Sequence, residues 1–189
     1  MDYDVNFWNK WTNENEAIIN DELSRFIHDL VLSLHVQKVL EVGCNVGNNL
    51  KHFPENFDVH GIDLNAYSLE KAREKYPSFK FTDGSILDIP LRDSEVDFVF
   101  TRSVLNYVPQ KDMKNTIDEL WRVTSKYIMN IEIYGEDGKE IQSTNQDNSW
   151  YRNMKKWWSE FDVKIISHVD MHEEIDPCKT RFTLIKKIK

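Results

Sequence analysis

Apolar positions recur in two rhythms along this chain. Between Glu14 and Leu34, the residues Ile19, Leu23, Phe26, Leu30 and Leu34 fall at helical spacing, and Ile27 and Val31 widen the stripe. That pattern predicts one amphipathic helix. "KVLEVG" (38–43) then reads as a short buried strand, and "VGNNLKHF" (46–53) as the start of a helix. "FDVHGIDLN" (57–65) reads as a second strand, and "AYSLEKAREKY" (66–76) as a helix stopped by Pro77. "SFKFTDG" (78–84) and "EVDFVFTRS" (95–103) are a third and a fourth strand. Pro109 opens a further helix marked by Met113, Ile117, Leu120 and Trp121. "KYIMNIEIYG" (126–135) is a fifth strand, 136–149 a polar loop, and "WYRNMKKWWSEF" (150–161) a helix. "DVKIISHVD" (162–170) and "KTRFTLIKKI" (179–188) close the chain as two strands.

Strands alternating with helices predict a mostly parallel sheet with helices on both faces. The last two strands are separated by about ten residues, too few for a helical crossover, so they pair antiparallel. The expected fold is α/β: a Rossmann-like sheet of seven strands, mostly parallel, with an antiparallel C-terminal hairpin.

Composition narrows the class. A length of 189 residues suits one domain, here 1–189 with 1–34 as an N-terminal arm and helix. The net charge of −8 argues against phosphate-backbone binding, so no nucleic-acid partner is expected. Two cysteines, Cys44 and Cys178, and no membrane-length apolar run suggest a reduced, cytoplasmic protein without a membrane partner. The six histidines show no metal-ligand spacing, and no metal is expected.

The chemistry concentrates at "VLEVGCNVGNNL" (39–50), a strand running into a glycine turn. A dinucleotide site needs G-x-G-x-x-G, so that pyrophosphate can approach a helix N-terminus. Here Asn45 stands where the second glycine belongs, and the third is missing. The pattern is instead E-x-G-x-N-x-G, built on Glu41, Gly43, Asn45 and Gly47. Asn tolerates left-handed backbone angles better than other non-glycine residues, so the turn survives the replacement. Asp63, twenty residues after Gly43 and at the end of a strand, is suited to accept both hydroxyls of a ribose. Cys44 has no activating neighbour in sequence and reads as a small filler of the turn.

These segments resemble the class I S-adenosylmethionine-dependent methyltransferases, whose first motif is usually [E/D]-x-G-x-G-x-G. "TDGSILDIP" (82–90) lies where that family surrounds the adenine, and "DFVFTRSVLNYV" (97–108) resembles its fourth motif, with Asn106 in place of a frequent histidine. "VLEVGCNVGNNL", "GSILD", "VFTRSVL" and "KYIMNIEIY" further resemble the methylases associated with pseudaminic acid biosynthesis. The resemblance implies S-adenosylmethionine as cofactor. It implies cofactor contacts from Glu41, Gly43, Asn45, Gly47, Asp63, Leu64, Asp83, Gly84, Ser85, Ile86 and Thr101. It implies a small-molecule methyl acceptor, a sugar or nucleotide-sugar for the narrower subgroup. An RNA or protein acceptor, or a non-catalytic adenosylmethionine-binding module, stays open.

Methyl transfer is an in-line displacement in which the protein aligns the nucleophile and excludes water. Candidates for a base or acceptor-orienting group are Asn106, Glu132, His172 and Glu173. The segment 150–158 is open to reading as a basic-aromatic nucleic-acid patch or as a pocket wall. Tyr3, Phe7, Trp8 and Trp11 put four aromatics into a short polar arm, which suggests a lid over the cofactor mouth or a clasp on the outer face.

Overall fold

The structure is a computed structural model and describes residues 5–141, 149–178 and 180–188. Tyr3 and residues 142–148 of the expected polar loop lie outside the described residues. Helices α1 (Val5–Asn15) and α2 (Asp21–Ser33) precede the first strand, β1 (Lys38–Val42). Then come β2 (Asp58–Asp63), α3 (Ala66–Lys75), β3 (Lys80–Asp83), β4 (Val96–Arg102) and α4 (Met113–Val123). β5 (Thr124–Glu132), α5 (Met154–Trp158), β6 (Val163–Asp170) and β7 (Arg181–Lys187) complete the chain.

The strands form one seven-stranded sheet in the order β3-β2-β1-β4-β5-β7-β6. β1 to β5 pair parallel, whereas β7 is antiparallel to both β5 and β6. β6 therefore runs with the parallel set, which brings the β6–β7 turn to the sheet's carboxyl edge. The period-2 alternation of β1 divides the core. Val39 packs with Leu23, Ile27, Leu69, Phe98 and Phe100 on the α2/α3 face. Leu40 and Val42 pack with Val99, Ile117, Leu120 and Trp158 on the α4/α5 face.

Three sequence expectations are corrected. The single helix expected from Glu14 to Leu34 is broken, because Asn20 caps α2 by accepting from the Leu23 N–H, with Asp21 and Glu22 in the first turn. Helix α1 instead occupies the arm, and Ile18 is left exposed in the link. After the glycine turn there is one 3₁₀ turn, Asn48–Leu50, and no longer helix. The amides of Asn48 and Asn49 are spent on the Glu16 and Ile18 carbonyls and on the Glu41 carboxyl, and Pro54 follows shortly. The helix expected over 150–161 shrinks to α5, capped by Asn153, because Trp150 and Arg152 are held in β-bridges to Glu140 and Tyr134.

Candidate functional site

The turn after β1 is built on three left-handed residues: Gly43 (φ 75°), Asn45 (φ 47°) and Gly47 (φ 75°). Asn45 thus adopts the backbone that its replacement of glycine requires. At Gly43 a methyl group would stand 2.3 Å from Val104 Cγ2, so only glycine lets the β4 loop come this close. The Gly43 and Cys44 N–H groups both donate to the Ile62 carbonyl, at 2.7 and 3.1 Å, which pins the turn to the end of β2.

Asp63 ties that turn to the start of α3. Its Oδ2 accepts from the Asn45 N–H at 2.8 Å and its Oδ1 from the Asn65 N–H at 2.9 Å. Burial pushes the Asp63 carboxyl up, and the two N–H donors oppose that shift. Each oxygen retains acceptor capacity toward the cavity it lines.

That cavity, about 170 Å³, opens at the carboxyl edge of the sheet. Gly43, Asn45, Asp63, Leu64, Gly84 and Ile86 form part of its wall. Arg102, Ser103, Val104, Tyr107 and Val108 form the β4 side. Trp8, Trp11 and Thr12 of α1 close it from above. The Thr12 hydroxyl donates to Asn45 Oδ1 at 3.3 Å and accepts from Asn65 Nδ2 at 3.4 Å. The Trp8 and Tyr107 rings meet edge to face, 5.1 Å between centroids.

Other expected residues do not line the cavity. Glu41 is buried, accepts from Asn49 Nδ2 at 2.7 Å and leaves Oε2 without a partner; burial pushes its carboxyl up to about 8. Gly47 abuts the Tyr76 ring, Asp83 points to solvent, and the Ser85 hydroxyl accepts from the Leu87 N–H within its own turn. Burial also pushes the Cys44 thiol well up, which disfavours a thiolate and agrees with a filler role.

Glu132, Thr101 and Asn106 form a buried cluster beneath the β4 loop, and none of them lines the cavity. Glu132 accepts from the Thr101 hydroxyl at 2.8 Å and from the Val104 and Leu105 N–H groups at 3.1 Å. The Asn106 amide nitrogen donates to Glu132 Oε2 at 3.1 Å and to the Ser103 carbonyl at 3.2 Å. Burial raises the Glu132 carboxyl to about 7 against these donors. The network continues from Thr101 through Asn130 to the Trp158 indole on α5. Glu132 and Asn106, expected as acceptor-side groups, are thus arranged to shape the loop from below.

His172 and Glu173 are not brought to this cavity. They border a separate open cleft with Tyr134, Asp170, Met171 and Arg181. Arg152 and Trp158 of the supposed basic-aromatic patch are buried; Arg152 donates to the Leu105 and Val108 carbonyls and to Gln110, which clamps the cavity loop from outside. Sequence reasoning missed Arg102, Ser103, Tyr107 and Thr12. The only advance signal for Ser103 was its place just past a strand, where it takes φ 52° to turn the chain sharply.

Among the described residues no group of His, Cys, Asp and Glu is arranged to hold a metal, and no helix is long and apolar enough to cross a membrane. Residues 39–126 match the family model of the methyltransferase domain. A trans-aconitate 2-methyltransferase of Rhodopseudomonas palustris is 29% identical over 119 residues, 58% of this chain and 46% of that protein. A malonyl-[acyl-carrier protein] O-methyltransferase of Pectobacterium atrosepticum is 28% identical over 88 residues, 46% of this chain and 34% of that protein. The chain spans about half the length, or less, of these curated relatives. Among solved structures, a SAM-dependent methyltransferase from Aquifex aeolicus superposes with a TM-score of 0.66 at 18% identity, covering 97% of this chain and 98% of that one. Phosphoethanolamine N-methyltransferase 1 of Haemonchus contortus, in complex with phosphoethanolamine and S-adenosylhomocysteine, gives 0.74 at 16% identity, covering 97% and 48%. A chain in the complex of the Haloferax volcanii Trm112 methyltransferase activator with a methyltransferase gives 0.75 at 14% identity, covering 96% and 98%. The fold is the Rossmann-like methyltransferase fold.

Proposed function

We propose that this protein transfers a methyl group from S-adenosylmethionine to a small-molecule acceptor, a reading supported by the match of residues 39–126 to the methyltransferase domain model. One observation carries the reading. A single cavity joins the glycine turn, Asp63 and Ile86, and α1 covers it. Its walls fit a nucleoside linked to an amino acid. Asp63 has acceptor capacity left for ribose hydroxyls, Gly84 and Ile86 offer an apolar slot for a flat base, and Gly43 allows the chain to pass close.

Bound there, S-adenosylmethionine supplies an electrophilic methyl group. The chain's own tasks are to hold, align and dry the site. Trp8 and Tyr107 present electron-rich rings suited to a sulfonium charge. Trp11 and Thr12 exclude water from above, and Glu132 with Asn106 keeps the 103–107 loop in the shape that meets the acceptor. The small-molecule reading draws support from relatives whose names specify trans-aconitate and malonyl-[acyl-carrier protein], and from a neighbour in complex with phosphoethanolamine. A sugar or nucleotide-sugar acceptor rests on the resemblance of 39–50, 84–88, 99–105 and 126–134 to the pseudaminic acid-associated methylases. We take the enzyme to work in the cytoplasm, with both cysteines as free thiols.

Calorimetry tests the cofactor: micromolar binding of S-adenosylhomocysteine without measurable binding of NAD is expected, and preferential NAD binding defeats the reading. Labelled methyl followed from S-adenosylmethionine into fractionated metabolites identifies the acceptor. Label that enters only RNA or protein rejects the small-molecule class.

A further inference from the structure

We propose that Arg102 is the cation that takes the carboxylate at the methionine end of the cofactor, with Asp176 of the β6–β7 turn setting its orientation. The proposal rests on the cofactor reading above. Among the described residues lining the cavity, Arg102 is the one positive charge and Asp63 the one negative charge. They stand on different strands that flank β1, at the ends of β4 and β2. A ligand with ribose hydroxyls at one end and a carboxylate at the other matches that division of charge. The sheet register sets Thr101 beside Val42, so the next residue, Arg102, comes level with Gly43, where the glycine turn begins. The Arg102 charge also acts on Glu41 at the end of β1, opposing the burial that raises that carboxyl.

The guanidinium is only partly engaged. Nη2 donates to Asp176 Oδ1 at 3.3 Å and lies 4.0 Å from Cys178 Sγ, while the buried Nε has no hydrogen-bond partner. Asp176 is itself fully buried and fixed, accepting from the Thr180 hydroxyl and from the Cys178 N–H at 3.2 Å. A buried carboxylate needs a paired charge, so Asp176 holds Arg102 by one corner. The rest of the planar fork, which matches a carboxylate geometrically, remains for a ligand.

The test compares two ligands that differ at the methionine end. S-adenosylhomocysteine carries the carboxylate; 5′-methylthioadenosine has the same nucleoside and thioether without the amino-acid end. Each is titrated calorimetrically into the wild-type chain, Arg102→Gln and Arg102→Lys, with circular dichroism to confirm the fold. Arg102→Gln is expected to weaken S-adenosylhomocysteine roughly ten- to a hundredfold and to leave 5′-methylthioadenosine within about twofold. Arg102→Lys keeps a charge opposite Asp176 and should fall between, which preserves the test if the Gln variant does not fold. Unchanged S-adenosylhomocysteine binding in both variants, or equal loss for both ligands, overturns the assignment. A wild-type chain that binds neither ligand overturns the cofactor reading, and this assignment with it.

Discussion

Glu132 sits beneath the loop that leaves β4, and the Val104 N–H donates to it at 3.1 Å. The Leu105 N–H, the Thr101 hydroxyl and the Asn106 amide also donate to the same carboxyl group. A carboxylate surrounded only by donors acts as a template for the loop.

Replacing it with an amide puts a donor among donors. Glu132→Gln should cost about 1–3 kcal/mol of stability and leave the fold intact. The Val104 and Leu105 amides should exchange with deuterium faster, whereas amides in β1 and β2 should not. Unchanged protection of Val104 and Leu105 would remove the templating role.

Asp63 tethers the turn, and the proposed function gives it the ribose hydroxyls as well. Asp63→Ala removes charge-assisted acceptors worth about 1.5–3 kcal/mol each, less where solvent compensates. Cofactor affinity should fall roughly tenfold to a few-hundredfold in calorimetry, with a folded protein by circular dichroism. A well-folded variant with wild-type affinity would limit Asp63 to its bonds with Asn45 and Asn65.

Glu41 makes stability depend on pH. Burial raises its carboxyl to about 8 from an ordinary 4.5. Between those values the unfolded chain releases a proton that the folded chain retains, so this group's contribution declines as pH rises from about 4.5 to about 8 and is flat beyond. The neutral Glu41→Gln, which keeps an oxygen for Asn49, should be close to wild type at pH 4.5. It should be more stable than wild type near pH 7, by on the order of 3 kcal/mol. Urea midpoints of both proteins at the two pH values check the sign, and a variant whose advantage over wild type is no larger at pH 7 than at pH 4.5 contradicts it.

The arm reports on the mouth of the cavity. Removing residues 1–12 takes away Trp8, Trp11 and Thr12, three of its walls. Methyl transfer should fall far more than apo thermal stability, and the tryptophan fluorescence change on adding S-adenosylhomocysteine should vanish. A truncated protein that melts much earlier yet keeps that change has lost a clasp and not a lid.

Strand order and helix faces were largely legible because buried alternation, as at Val39 and Leu40, leaves a period that needs no partner to be read. The glycine turn and Asp63 were legible for a related reason: backbone conformation at Gly43 and Asn45 restricts residue type locally. Helix boundaries were less so. The break at Asn20 depends on a side chain choosing to cap, and that choice is made with Ile175, whose distant carbonyl accepts from the Asn20 amide at 2.8 Å. The roles of Glu132 and Arg102 were hidden for the same cause. Whether a carboxyl faces a cavity or the underside of a loop is decided by strands far apart in sequence.

The contact between Thr12 and Asn45 has a consequence for the departure from glycine. A glycine at 45 would adopt the same left-handed angle with less strain, so the turn itself has no need of a side chain. The amide oxygen there serves as a catch for α1, and Asn65 holds the same hydroxyl from the other side. Cover and glycine turn are therefore fastened at one residue. Under the proposed function, lifting the arm to admit or release the cofactor breaks this catch, which ties cofactor exchange to Asn45.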